Sequence, residues 1–148
     1  MSRWRRLMSG DPSPPDDAWR RATQRLARAV ERYHAQIAQI RDRRLRLELQ
    51  SMGELLTGAL EDVERLDLTP PGRGRRRSQG DGEGMPPAAY RAVGRAATLT
   101  AHATEAAMMA GDARWNQEQD GVLRCLDTVR TLVKAVRELA DACLEAAG

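Results

Sequence analysis

The chain has 148 residues, 24 basic and 21 acidic side chains and a net charge of +3, which is the size of one ordinary domain able to bury a core. With 23 alanines, 16 leucines and no phenylalanine, it favours helices packed close together, while scarce β-branched residues and the lack of strict alternation exclude a strand-built fold. The two cysteines are too few for a disulfide scaffold, and no apolar run approaches the ~20 residues that span a bilayer, so a reducing, cytoplasmic location is expected.

Of the 24 basic residues only Lys134 is lysine. An alanine-rich, arginine-for-lysine chain is what a GC-rich, bacterial-like genome encodes whatever the function, so the position of the arginines carries more information than their number. Residues 1–12, with Arg3, Arg5 and Arg6, read as a disordered basic N-terminus.

Residues 13–68 form one helical pattern. Ser13, Pro14 and Asp16 suit the N-cap, N1 and N3 positions of its start. The apolar stripe runs through Trp19, Leu26, Val30, Tyr33, Ile37 and Ile40, then resumes at Leu45, Leu49, Met52, Leu56, Ala59, Val63 and Leu66 with its phase swung by roughly a quarter turn. No Gly or Pro lies at Arg41-Asp42-Arg43-Arg44, so a continuous, gently curved helix of about 55 residues is predicted.

Charge is sorted along this segment. From Ala18 to Arg46 there are nine arginines against Glu31 and Asp42, and from Leu47 to Leu68 six acids against Arg65. Arg21, Arg25, Arg28, Arg32, Arg43 and Arg46 fall on a ridge opposite the apolar seam, and Glu54, Glu61 and Glu64 continue it with the opposite sign. Both halves oppose the helix macrodipole, so the sorting does not serve the helix itself. On a continuous rod it would pair an antiparallel copy, basic half against acidic half. The competing use of the basic half is to track phosphates, although no aromatic side chain on the ridge could stack bases.

Residues 69–86, rich in Gly, Pro and Arg, read as a disordered linker whose Arg73, Arg75, Arg76 and Arg77 could add to a phosphate-binding surface. From residue 87 a narrow small-residue seam follows at Tyr90, Val93, Ala97, Thr100, Thr104, Ala107 and Gly111, and Gly111-Asp112 is the expected stop and restart. The last helix carries the most regular seam, Val122, Leu126, Val129, Val133 and Val136, flanked by Cys125, Leu132 and Leu139, a stripe wide enough to meet two neighbours.

These elements predict an all-α, elongated antiparallel bundle of three long helices, with 13–68 packing on 87–147 as one domain and dimerisation covering the overhang of the first helix. The alternative is a compact four-helix bundle, should the chain also fold at Arg41–Arg44. The chemistry is sparse. His34 and His102 are the only histidines, and Glu31-x-x-His34 matches one half of a di-metal carboxylate site without a second half. No nucleophile, phosphate loop or metal-ligand pattern accompanies them, so no catalytic residue, metal or cofactor is assigned. The expected function is that of a non-catalytic helical interaction or scaffold protein, a homodimer or a module docking on a protein partner through coiled-coil-like seams and the charged ridge. Nucleic acid or an anionic membrane surface is the alternative partner, and no small-molecule substrate is expected.

Overall fold

A computed structural model describes residues 15–66 and 85–148. These residues form four helices and no strand: α1 (Pro15–Ile37), α2 (Arg43–Arg65), α3 (Pro87–Trp115) and α4 (Gln119–Ala147). The all-α expectation holds, but the three-helix count does not. The segment expected to be one rod of about 55 residues reverses direction at residues 38–42 and becomes a hairpin of two 23-residue helices. The expected N-terminal and linker segments, and the helix start at Ser13, lie outside the described residues, except Met85 and Pro86 ahead of α3.

The reversal needs neither Gly nor Pro: α1 stops at Ile37, and after a short turn Asp42 caps the start of α2. Its backbone is extended (φ −68°, ψ 114°), and its Oδ1 accepts a hydrogen bond from the Leu45 N–H at 2.9 Å, satisfying one of the orphan donors at the start of α2. Arg46 closes the turn from the other side, donating from Nη1 to the Ile40 carbonyl at 2.7 Å. Asp42→Ala is expected to lower the free energy of unfolding by about 1 kcal/mol, measured by chemical denaturation. An unchanged midpoint would show that the Asp42 cap does not stabilise the turn.

Gly111 does not stop the helix that begins at Pro87. The helix runs through it to Trp115, and the chain turns at residues 116–118, where Gln117 takes the left-handed region at φ 60°. Gly111 serves packing instead: a Cβ there would sit 3.4 Å from Ile40 Cγ1, so the turn between α1 and α2 closes directly onto α3.

Each hairpin pairs helices of equal length, 23 residues in α1 and α2 and 29 in α3 and α4. In cross-section α1 packs on α2 and α3, and α4 packs on α3 and α2. Trp19 meets Tyr90 edge-on at 5.5 Å between centroids near the starts of α1 and α3, and Ile40 meets Gly111 near their ends, so these two helices run parallel. The bridges Glu48–Arg130 and Asp62–Arg137 follow the same order along α2 and α4, which are parallel too. Both hairpin turns therefore lie at one end of the bundle.

Val122, Leu126, Val129, Val133 and Val136 are each 6% exposed or less and form the α4 side of the core. Facing them, α3 buries nine alanines with Thr100 and Thr104, whose hydroxyls donate to the carbonyls of Ala96 (2.8 Å) and Thr100 (3.1 Å). Back-bonding of this kind lets a polar side chain enter an apolar seam. On the other hairpin Tyr33 is fully buried and its hydroxyl donates to the Leu49 carbonyl at 2.7 Å, while Gly53 leaves room for the Tyr33 and His34 rings.

Candidate functional site

At 100° per residue, the outward line of α1 passes through Gln24, Arg28 and Ala35, all exposed. His34 lies on the α2-facing flank, where its Nε2 is 2.9 Å from Thr57 Oγ1. Glu31 stands on that same flank, exposed. Arg21, Arg25 and Arg32 stand on the opposite flank, turned towards α3 and exposed.

Helix α2 repeats the arrangement with the other sign. Gly53 and Thr57 face α1, and Glu48 and Asp62 face α4. Glu54, Glu61 and Glu64 lie on the outward and α1-facing side, all exposed. The nine residues of the expected ridge are therefore not one line. Arg21, Arg25, Arg28 and Arg32 belong to α1; Glu54, Glu61 and Glu64 belong to the neighbouring helix running the other way; and Arg43 and Arg46 sit at the turn. Reversal at 38–42 converts an end-to-end division of charge into a side-to-side one. Arg46, half-buried and bonded to Ile40, is a structural member of the turn.

Pairing separates this surface from the rest. The flank between α2 and α4 is closed by ion pairs within the chain, with Arg130 bridging Glu48 (3.4 Å) and Asp127 (2.9 Å), and Arg137 bridging Asp62 (2.7 Å) and Asp141 (2.8 Å). Among the described residues no ion pair engages Arg25, Arg28, Arg32, Glu31, Glu54, Glu61 or Glu64.

Asp62 on α2 carries a shifted carboxyl group. The Arg137 hydrogen bond, opposed by partial burial and aided by Arg65, holds it below the ordinary value of 3.8. A depressed folded-state pKa gives stability that is present above the unfolded value and is lost as pH falls through and below it. The melting temperature should accordingly drop on acidification below about pH 4, and Asp62→Asn should flatten that acid limb. An identical limb in the variant would reassign it to other carboxylates.

A concavity that the sequence did not disclose lies between the hairpin turns. It is an open groove of about 950 Å³ lined by Gln39, Ile40, Arg41, Asp42, Met108 and Trp115, among others. Trp115 is 67% exposed with the Arg41 guanidinium 4.9 Å from its ring centroid, a cation–π contact between the turns. Arg114 Nε lies 3.8 Å from Asp42 Oδ2, too long for a hydrogen bond, and is buried without an acceptor. Two arginines and two aspartates balance the charge of this groove, so it selects neither anion nor cation. An aromatic next to Arg41 in sequence would have been a signal, but Trp115 is 74 residues away and joins it only through the fold.

The described residues hold no group of three or more His, Cys, Asp or Glu side chains placed to bind a metal ion. Glu31 points to solvent while His34 engages Thr57, so the Glu-x-x-His pair does not converge on one point. Burial pushes the Cys143 thiol up to about 11, leaving it protonated near neutral pH, and Cys125 is half-buried beside the core. No described helix is long and apolar enough to cross a membrane. No protein-family model, curated protein or solved structure matches the chain.

Proposed function

We propose that this chain is a non-catalytic helical interaction module whose contact surface is the charged outer side of α1 and the adjoining side of α2. The observation that carries the reading is the contrast in pairing. Charges between α2 and α4 are neutralised within the chain, whereas Arg25, Arg28 and Arg32 on α1, and Glu31, Glu54, Glu61 and Glu64 beside them, are exposed and enter no ion pair among the described residues. Like-signed neighbours on one flank repel each other, and an external surface of complementary charge relieves that repulsion.

The apolar seams are covered within the bundle, and among the described residues the large exposed apolar side chains, Leu47, Leu55, Met109, Trp115 and Leu123, are scattered over three helices. Recognition by charge therefore fits this surface better than recognition by a hydrophobic face. A phosphate-bearing partner, nucleic acid or anionic membrane, is the second reading, favoured by Arg21, Arg25, Arg28 and Arg32, which α1 presents exposed within about 17 Å.

Two measurements at low and high salt test the proposal: molar mass by light scattering over a range of protein concentrations, and retention on duplex DNA and on vesicles containing an anionic lipid. Salt-sensitive self-association supports a protein partner. Retention that Arg25→Glu/Arg28→Glu abolishes supports phosphate. A chain that is monomeric and unretained at low salt defeats both readings.

A further inference from the structure

The fold decides which copies of this surface attract. On a continuous rod, basic half followed by acidic half, an antiparallel copy would be complementary. In the hairpin the two signs lie side by side, and the antiparallel copy is no longer the complementary one. Tyr33 and His34 lie against Leu49, Gly53 and Thr57, which sets the register of the antiparallel pair. At equal rise along both helices Glu54 is level with Tyr33 and Glu61 with Leu26, each within about 2 Å along the axis of Arg32 and Arg25 respectively. Opposite charges therefore occur at matched heights on the two sides of the outward line of α1, with Glu31 beside Arg28 and Arg32 nearer its centre.

Two copies meeting at α1 can be related by a two-fold axis parallel to the helix or by one perpendicular to it and lying in the interface. The perpendicular axis inverts the helix direction and keeps the flanks, so acid faces acid and base faces base. The parallel axis keeps the heights and exchanges the flanks. Each copy then presents its arginines to the other's glutamates at the same level.

We infer that the partner of this surface is a second copy of the chain, docked in parallel about a two-fold axis along α1, with Arg25 and Arg32 of each copy against Glu61 and Glu54 of the other and Glu31 against Arg28. The inference rests on the reading of the α1 surface as the contact face, and it names the partner and the orientation. Gln24, Arg28 and Ala35 lie nearest the axis; Ala35 lets the helices approach, and the two Arg28 side chains, which meet across the axis, are each offset by the other copy's Glu31. Exposed ion pairs contribute little singly and are screened by salt, so the assembly forms at low ionic strength and raised protein concentration. The interface is isologous: each pair occurs twice, and any single charge reversal acts twice.

The test uses the full chain and two double variants, Arg25→Glu/Arg32→Glu and Glu54→Arg/Glu61→Arg, all at exposed positions, with circular dichroism confirming that helix content is kept. Sedimentation at low salt should give the unsubstituted chain a mass approaching twice its 16.4 kDa, returning to 16.4 kDa in high salt. Each variant alone should be monomeric, since its two flanks now carry the same sign. Their equimolar mixture should recover the dimer, because the reversed flank of one is complementary to the reversed flank of the other. Ala35→Cys and, separately, Gln24→Cys should each form a cross-linked dimer under mild oxidation beyond any formed by the unsubstituted chain, since the parallel arrangement brings both positions onto their own copies, whereas an antiparallel one can do so at a single height only.

Monomeric behaviour of the unsubstituted chain at low salt would overturn the inference, and retention on DNA or vesicles in that case would leave the broader reading standing on phosphate. A dimer that persists in both variants would also overturn it and would move the contact surface elsewhere. A variant mixture that stays monomeric would rule out the charge pairing described.

Discussion

Replacing Gly53 with valine lowers the free energy of unfolding by about 3 kcal/mol, the upper part of the usual range for forcing extra atoms into a packed core. A Cβ at Gly53 would stand 2.7 Å from His34 Cε1 and 2.8 Å from Tyr33 Cε1, closer than non-bonded carbons come. The two rings cannot yield equally. His34 is half-buried and can swing outward, giving up its contact with Thr57. Tyr33 is fully buried and held at its far end by the 2.7 Å bond to the Leu49 carbonyl, so its ring has nowhere to go. Alanine should cost less, because its better helix propensity returns up to about 1 kcal/mol of the steric loss. Denaturant unfolding of Gly53→Ala and Gly53→Val reads both values, and equal stability of all three chains would show that α1 and α2 do not approach as closely as described.

The same site sets an alkaline limit. Burial raises the Tyr33 pKa well above its ordinary value of 10.0. A group that holds its proton more tightly when folded contributes stability that is full below the unfolded pKa and is lost as pH rises above it. Unfolding should therefore begin above about pH 10, reinforced by the buried Cys143 thiol, and Tyr33→Phe should move that onset upward while costing about 1 kcal/mol at neutral pH for the lost hydrogen bond.

Ala103→Leu is expected to be the most damaging substitution in the second hairpin, with a loss of about 3 kcal/mol or more. Ala103 is completely buried on α3, the helix that carries nine buried alanines and packs against both α1 and α4. Small side chains draw helix axes together, and the three added heavy atoms would have to push a neighbouring helix away. Leu substitution at the exposed Ala101, two residues earlier, should leave stability within about 0.5 kcal/mol. A comparable loss at both positions would mean that burial of Ala103 in the seam does not set the cost.

Much of the helical structure is legible in the residues. The period of Val122, Leu126, Val129, Val133 and Val136 identifies both the existence of α4 and its buried face, since a heptad pattern has one solution in a helix. Pro86-Pro87 marks the start of α3, as Pro is tolerated in the first turn where its missing N–H is not needed. The reversal at residues 38–42 is harder to see, because the usual breakers are absent and the turn is made by the Asp42 cap and the Arg46 guanidinium, residues that elsewhere sit on exposed helix faces. Its signature was nonetheless present as the quarter-turn swing of the apolar seam at the position where the charge changes sign. A seam changes phase at a curved helix or at a corner, and local pattern does not distinguish them.

By itself, then, the amino-acid order determined the all-helical class, the apolar seams and the separation of arginine from glutamate along the chain, because these depend on periodicity and on residues near one another in sequence, whereas it placed neither helix break correctly. Tertiary structure decided what that separation means. Contacts between distant residues, Ile40 on Gly111 and Tyr33 on Leu49, fold the rod into a hairpin and set its register. The division of charge thereby runs across the bundle at matched heights, so the complementary copy is the parallel one. Electrostatic complementarity depends on where charges lie in space, and a single reversal of the chain exchanges the orientation that attracts for the one that repels.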